Sequence, residues 1–200
     1  MSEDDWPLAF LGDAPALRNY IVPGLTSYLL ATGTDGSKVR VFRATIEQQQ
    51  AVTPHSHRFD FRCLVLRGRV VNRLWSRARG DEAGDTYLRS RLIYGGAPGA
   101  YELVRDAEPL RWTYYDIEYC AGDEYAMHAD EIHSIQFSRD AVVLFREGAP
   151  VSAESVIIEP WCEGAVVPTF RVEPWMFQPA GAAPIKTGCL RGDVQAEGGP

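Results

Sequence analysis

From Pro23-Gly24 to about residue 160 the chain is cut into short segments rich in β-branched and aromatic residues, each closed by turn formers. Segments this short, evenly spaced and without a sustained 3.6-residue apolar period, fold as a β-sandwich or barrel and not as packed helices. Their composition places strands near Thr26–Thr32, Lys38–Ile46, Asp60–Leu66, Arg69–Arg77, Tyr87–Tyr94, Tyr101–Val104, Arg111–Tyr119, Glu124–Met127, His133–Phe137, Ala141–Arg146 and Ser155–Glu159. Turns are expected at Thr34-Asp35-Gly36, Arg67-Gly68, Gly80 through Gly84, Gly95-Gly96-Ala97-Pro98 and Ser138-Arg139-Asp140.

The flanks read differently. Ala14–Tyr20 is a short helical candidate, and the stretch beyond Gly164 carries Pro168, Pro174, Pro179 and Pro184 with few strand signals. No internal linker divides the chain, so the expected plan is one domain: an N-terminal segment 1–23, a barrel 24–160, an extension 161–187 packed on the barrel, with a short helix near Pro174–Gln178, and a small, polar, disordered tail 188–200.

Charge and cysteine usage narrow the partners. A net charge of -7 argues against nucleic acid, whose phosphates need a basic surface. No apolar run reaches the ~20 residues of a membrane helix, and the acidic start Met1-Ser2-Glu3-Asp4-Asp5 is unlike a secretory leader, so a cytoplasmic location is expected. Cys63, Cys120, Cys162 and Cys189 are scattered without CxxC spacing and are expected as free thiols.

Four histidines occur, in two clusters: His55 and His57, then His128 and His133. On an extended strand residues i and i+2 project from one face, so His55-Ser56-His57 offers two imidazoles to one ion. The run from Gly122 to His133 reads as strand, tight turn and strand, a hairpin able to return His133 to the same face.

With these two motifs the chain resembles the cupin superfamily. The first cupin motif, G-x5-HxH-x3-E-x6-G, is matched at His55, His57 and Gly68; the second, G-x5-PxG-x2-H-x3-N, at Gly122 and His133. The resemblance covers roughly residues 38–147 and implies an all-β, single-domain cupin barrel, a double-stranded β-helix or jelly roll. It departs at several positions. Phe61 stands where many cupins place a metal-binding Glu, and Gln49 replaces the leading Gly. In the second motif His128, Asp130 and Phe137 stand for Pro, Gly and Asn. Asp60 is one residue from the Glu position; only a bulge or loop would swing it inward as a ligand or as a partner orienting a histidine.

With Phe61 in place of the carboxylate, the resemblance implies three neutral imidazoles and open positions on the ion, as in three-histidine non-haem iron dioxygenases such as the cysteine dioxygenase-like cupins. Fe(II) is the metal implied, with Mn, Ni and Zn as alternatives, and a small anionic metabolite and dioxygen as reactants. The alternatives are a Lewis-acid isomerase, lyase or decarboxylase, or a non-catalytic metal- or small-molecule-binding cupin. A homodimer is implied by the same resemblance. Tyr125, His128 and Cys63 are the candidate catalytic side chains; packing for Tyr125 and Cys63, and a place in the turn for His128, are the plainer readings. Arg62, Arg73 and Arg43 are candidates to clamp a carboxylate, and Phe61 to face the substrate.

Overall fold

The computed structural model describes residues 11, 14–20, 22–48, 52–95 and 101–161. Twelve strands follow in order: β1 (Ala16–Arg18), β2 (Leu25–Thr32), β3 (Lys38–Ala44), β4 (Phe61–Arg67), β5 (Arg69–Arg77), β6 (Asp85–Tyr94), β7 (Tyr101–Arg105), β8 (Leu110–Cys120), β9 (Glu124–Met127), β10 (Ile132–Phe137), β11 (Val142–Glu147) and β12 (Glu154–Pro160). They form two antiparallel sheets, β1-β2-β3-β11-β4-β9 and β10-β5-β8-β6-β12, with β7 paired to β6. No helix occurs among the described residues. Ala14–Tyr20, the helical candidate, instead contains β1, which pairs with β2 through Ala16↔Tyr28 and Arg18↔Thr26. Seven residues are too few to hold a helix on their own, and an adjacent strand edge satisfies the same backbone groups. The proposed helix near Pro174–Gln178, the extension and the tail lie outside the described residues.

Alternation sorts the side chains into three cores. Between the sheets lie Phe42, Phe61, Cys63, Val65, Val70, Tyr125, Met127, Phe137, Val143 and Phe145, all buried. The opposite face of the first sheet buries Val41 and Val142 against Leu11. The opposite face of the second sheet buries Trp112, Ile132 and Ile158, with Trp75 and Tyr87 packed on them.

The second sheet closes on itself. His55 bridges His133 of β10 on one side and Ile157 of β12 on the other. Since β12 also pairs β6, and β6 pairs β8, the circuit runs β10-β5-β8-β6-β12, through the segment around His55, and back to β10. Within this arrangement, β3-β11-β4-β9 faces the row formed by the His55 segment with β10-β5-β8, which is the paired four-strand plan of a jelly roll. Corners between the sheets fall at glycines: Gly68 (φ 71°) joins β4 to β5, and Gly122 (φ 98°) joins β8 to β9.

Candidate metal centre

The strand pairing brings the histidines together. His55 N donates to His133 O at 2.8 Å and His133 N to His55 O at 2.9 Å, a reciprocal pair that locks the two ligand segments side by side. His57, two residues on, lies on the same face, and one ring nitrogen from each of the three falls within 4.8 Å of the others. Among the described residues no cysteine, aspartate or glutamate joins this group.

Hydrogen bonds fix which nitrogens face inward. His55 Nδ1 donates to the Thr53 carbonyl at 2.7 Å, and His133 Nδ1 donates to Asn72 Oδ1 at 2.7 Å. Both rings therefore present an unprotonated Nε2. The His57 and His133 Nε2 atoms stand 3.0 Å apart. Two lone pairs at this distance repel unless a proton or a cation lies between them. Adjacent imidazoles bound at ~2.1 Å and at right angles about an ion have that separation. The donor set therefore fits one divalent ion.

Burial keeps these rings neutral. It lowers the pKa of His55, opposed only by the Thr53 carbonyl. It holds His57 and His133 well below the ordinary imidazole range, reinforced by the neighbouring histidines. Neutral imidazole is the form that binds metal.

The surroundings are aromatic. Phe61 is 3% exposed, and its ring centroid lies 4.8 Å from that of His57 and 5.5 Å from that of His133. Phe61 thus occupies the place from which a carboxylate would reach the ion. Phe59 and Phe145 complete the wall, 5.2 and 6.5 Å from the His57 ring.

Several sequence-derived candidates fall elsewhere. Asp60 points away from the histidines, as strand alternation dictates: its side chain is 57% exposed, and Oδ1 accepts from Ala129 N at 2.8 Å. It secures the β9–β10 turn, whose other brace is Glu131 Oε2 on His128 N at 2.6 Å. That turn uses no positive φ at Asp130, since the side-chain bonds do the work of a turn glycine. His128, 80% exposed, sits in the turn outside the site. Arg73 lies on the outer face of β5, held by both oxygens of Asp116 at 2.7 and 2.9 Å and stacked over Tyr114. Arg62 is exposed on the outer face of β4. Neither arginine reaches the histidines. Arg43 lies on the outward-facing parity of β3.

Cys63 and Tyr125 face inward but one layer deeper, as partners across β4 and β9. Burial pushes the Cys63 thiol up to about 12, so it remains protonated at neutral pH. Burial also raises the Tyr125 phenol well above its ordinary value. The Tyr125 ring stacks on Tyr119 at 4.4 Å and meets Phe61 at 6.4 Å, while its hydroxyl makes no well-formed hydrogen bond. Both side chains pack in the core between the sheets.

Asn72 was not singled out by sequence. It is 1% exposed, on the inner face of β5, with Oδ1 on His133 and Nδ2 donating to Met127 Sδ at 3.3 Å. The single available signal was parity: Asn72 shares a strand face with Val70 and Leu74, an odd place for an amide without a partner.

No family model matches the chain, and no curated protein matches its sequence. Solved structures with similar backbones include Fe(II) HppE in complex with substrate, at 11% identity and TM-score 0.43, covering 68% of this chain and 57% of that one. An RmlC-like cupin from Shewanella frigidimarina NCIMB 400 gives 10% identity and TM-score 0.41, covering 70% and 88%. KdgF from Halomonas sp. gives 12% identity and TM-score 0.39, covering 68% and 88%. The chain spans little more than half the length of the HppE chain, and likenesses this distant identify neither a substrate nor an activity. The strand order and the two facing sheets make the fold a jelly roll, and it places His55, His57 and His133 together on one inner face.

Proposed function

We propose that the protein is a mononuclear metal-dependent cupin enzyme, and specifically a non-haem Fe(II) oxygenase acting on a small anionic metabolite. The observation that carries this reading is a group of three inward-facing neutral imidazoles with Phe61, not a carboxylate, at the fourth place. Three protein ligands leave positions open on an octahedral ion, whereas a structural site is closed by its protein donors. Neutral ligands also leave the ion its full charge, which favours an anionic substrate. When bound, Fe(II) would supply a meeting point for substrate and dioxygen. The protein's own residues do the rest: Asn72 and Thr53 orient two of the rings, and Phe59, Phe61 and Phe145 exclude water from their inner face.

Metal analysis of anaerobically purified protein tests the first half. One iron per chain, lost in His133→Ala, is expected; no binding of iron, manganese, nickel or zinc after reconstitution would overturn the reading. Oxygen consumption with candidate carboxylates tests the second half, and turnover that persists without oxygen would replace the oxygenase with a Lewis-acid enzyme.

A further inference from the structure

A cationic layer lies on the inner face of the first sheet, the face turned toward the histidines. Across the first sheet the register runs Lys38↔Glu147↔Phe61 in one row and Arg40↔Phe145↔Cys63 in the next. Phe61 and Phe145 both pack on His57, so their cross-strand partners Glu147 and Arg40 are one residue removed from the candidate metal centre, and Lys38, paired to Glu147, is two.

Among the described residues the charges in this layer do not balance. Lys38 Nζ lies 2.6 Å from Glu147 Oε1, and Arg40 Nε lies 3.5 Å from Glu147 Oε2 without the geometry of a hydrogen bond. Arg40 Nη1 donates to Ser27 Oγ at 3.3 Å, and Ser27 is 1% exposed. The Glu147 and Arg40 side chains are only 8% and 12% exposed. Two cations thus share one carboxylate; Lys38, 33% exposed, takes the short contact, and Arg40, the more deeply buried of the two, is left without a full partner. A buried surplus charge is costly unless an anion joins it. The Tyr20 ring, stacked on Phe42, closes over Arg40 at 5.9 Å.

We propose that this layer binds the carboxylate end of the substrate, with Arg40 and Lys38 as its partners, while the other end reaches the ion at His55, His57 and His133. One surplus positive charge matches one carboxylate; a phosphate dianion would leave excess negative charge beside Glu147. The planar guanidinium fork suits a carboxylate in particular. The site deepens the metal-enzyme reading, but its carboxylate half does not require a metal. The ligand class is a small carboxylic acid bearing a second donor group, and the arginine concerned is not one that spacing near the HxH motif suggested.

The test separates the two halves. Acetate is titrated by NMR into the metal-free full chain, and glutarate into the Co(II)-loaded chain with the cobalt visible spectrum as readout. The metal-free wild type is expected to bind acetate. Arg40→Gln should weaken that binding roughly tenfold or more. Glu147→Gln, which removes the competing carboxylate, should tighten it several-fold. In the loaded chain glutarate should perturb the cobalt spectrum, and Arg40→Gln should lose that response while keeping its cobalt. Acetate binding that is absent from the wild type, or that neither variant changes, would overturn the proposal even if cobalt binds. A chain that binds no cobalt yet shows both acetate effects would sink the metal reading and leave the carboxylate site standing. Should Arg40→Gln fail to fold, Glu147→Gln decides by the direction of its effect.

Discussion

His133 reaches its place through Asn72. The amide oxygen accepts a hydrogen bond from Nδ1–H, which turns Nε2 and its lone pair toward His57. Removing such a partner from a metal ligand typically costs 10–100-fold in affinity. Asn72→Ala is therefore expected to lower metal affinity by roughly that factor, read by competition with a chelator, while Asn72→Asp, which keeps an acceptor, should recover most of it. The same residues set a pH response. In the metal-free protein His57 and His133 have depressed folded-state pKa values, against about 6.5 in an unfolded chain. The unfolded state then takes up protons first, so stability is complete above about pH 6.5 and falls as pH drops toward the folded-state values. Thermal unfolding of chelator-treated protein should show a midpoint declining from roughly pH 7 to pH 5. A flat profile would mean that the rings are not neutral by burial.

At the scale of elements, the corners between sheets bear the strictest demands. At Gly68 the backbone is left-handed, φ 71°, and an added Cβ would lie 2.9 Å from Ala141 Cα. Gly80 is also left-handed, φ 50°, but nothing lies within 4 Å of its Cβ position. Gly80→Ala should cost only the backbone preference, about 1 kcal/mol. Gly68→Ala should cost that and a forced shift of the β10–β11 turn, lowering the unfolding midpoint by several degrees more in the same thermal scan. Strand positions were largely legible in the sequence because β-branched runs such as Val39–Phe42 and Val70–Leu74 end at glycines and polar turns. β1 was not, because Ala16-Leu17-Arg18 has no strand signature of its own; pairing with β2 makes it extended. Phe61, Cys63 and Val65 face inward as alternation required. Asn72 escaped notice because a lone amide on a strand has no spacing to recognise, and Arg40 because its burial depends on Glu147, far along the chain.

For the whole molecule, the defining property is a wall shared by two cores. His133 and Asn72 point to one side of the second sheet, while Ile132 and Trp75 from the same strands point to the other, onto Ile158 of β12. Packing on the far side therefore supports the ligands from behind. Ile158, 0% exposed, should cost about 2–4 kcal/mol when cut to Ala, and its loss should also weaken metal binding because β12 pairs with the His55 segment. Val41, equally buried but on the outer face of the first sheet, should lower stability on truncation to Ala and leave metal affinity unchanged. Chelator competition on both variants separates the two outcomes. Nothing local announces this arrangement, since the β6–β12 pairing joins segments distant in sequence.

The closed circuit of the second sheet also bears on time. The segment carrying His55 is paired on both sides, to β10 through His133 and to β12 through Ile157. A ligand on a free loop swings away in nanoseconds to microseconds, but this one moves only when backbone pairs on both edges open together. An ion seated there would find His55 a ligand that stays in place, since withdrawing its backbone waits on that opening.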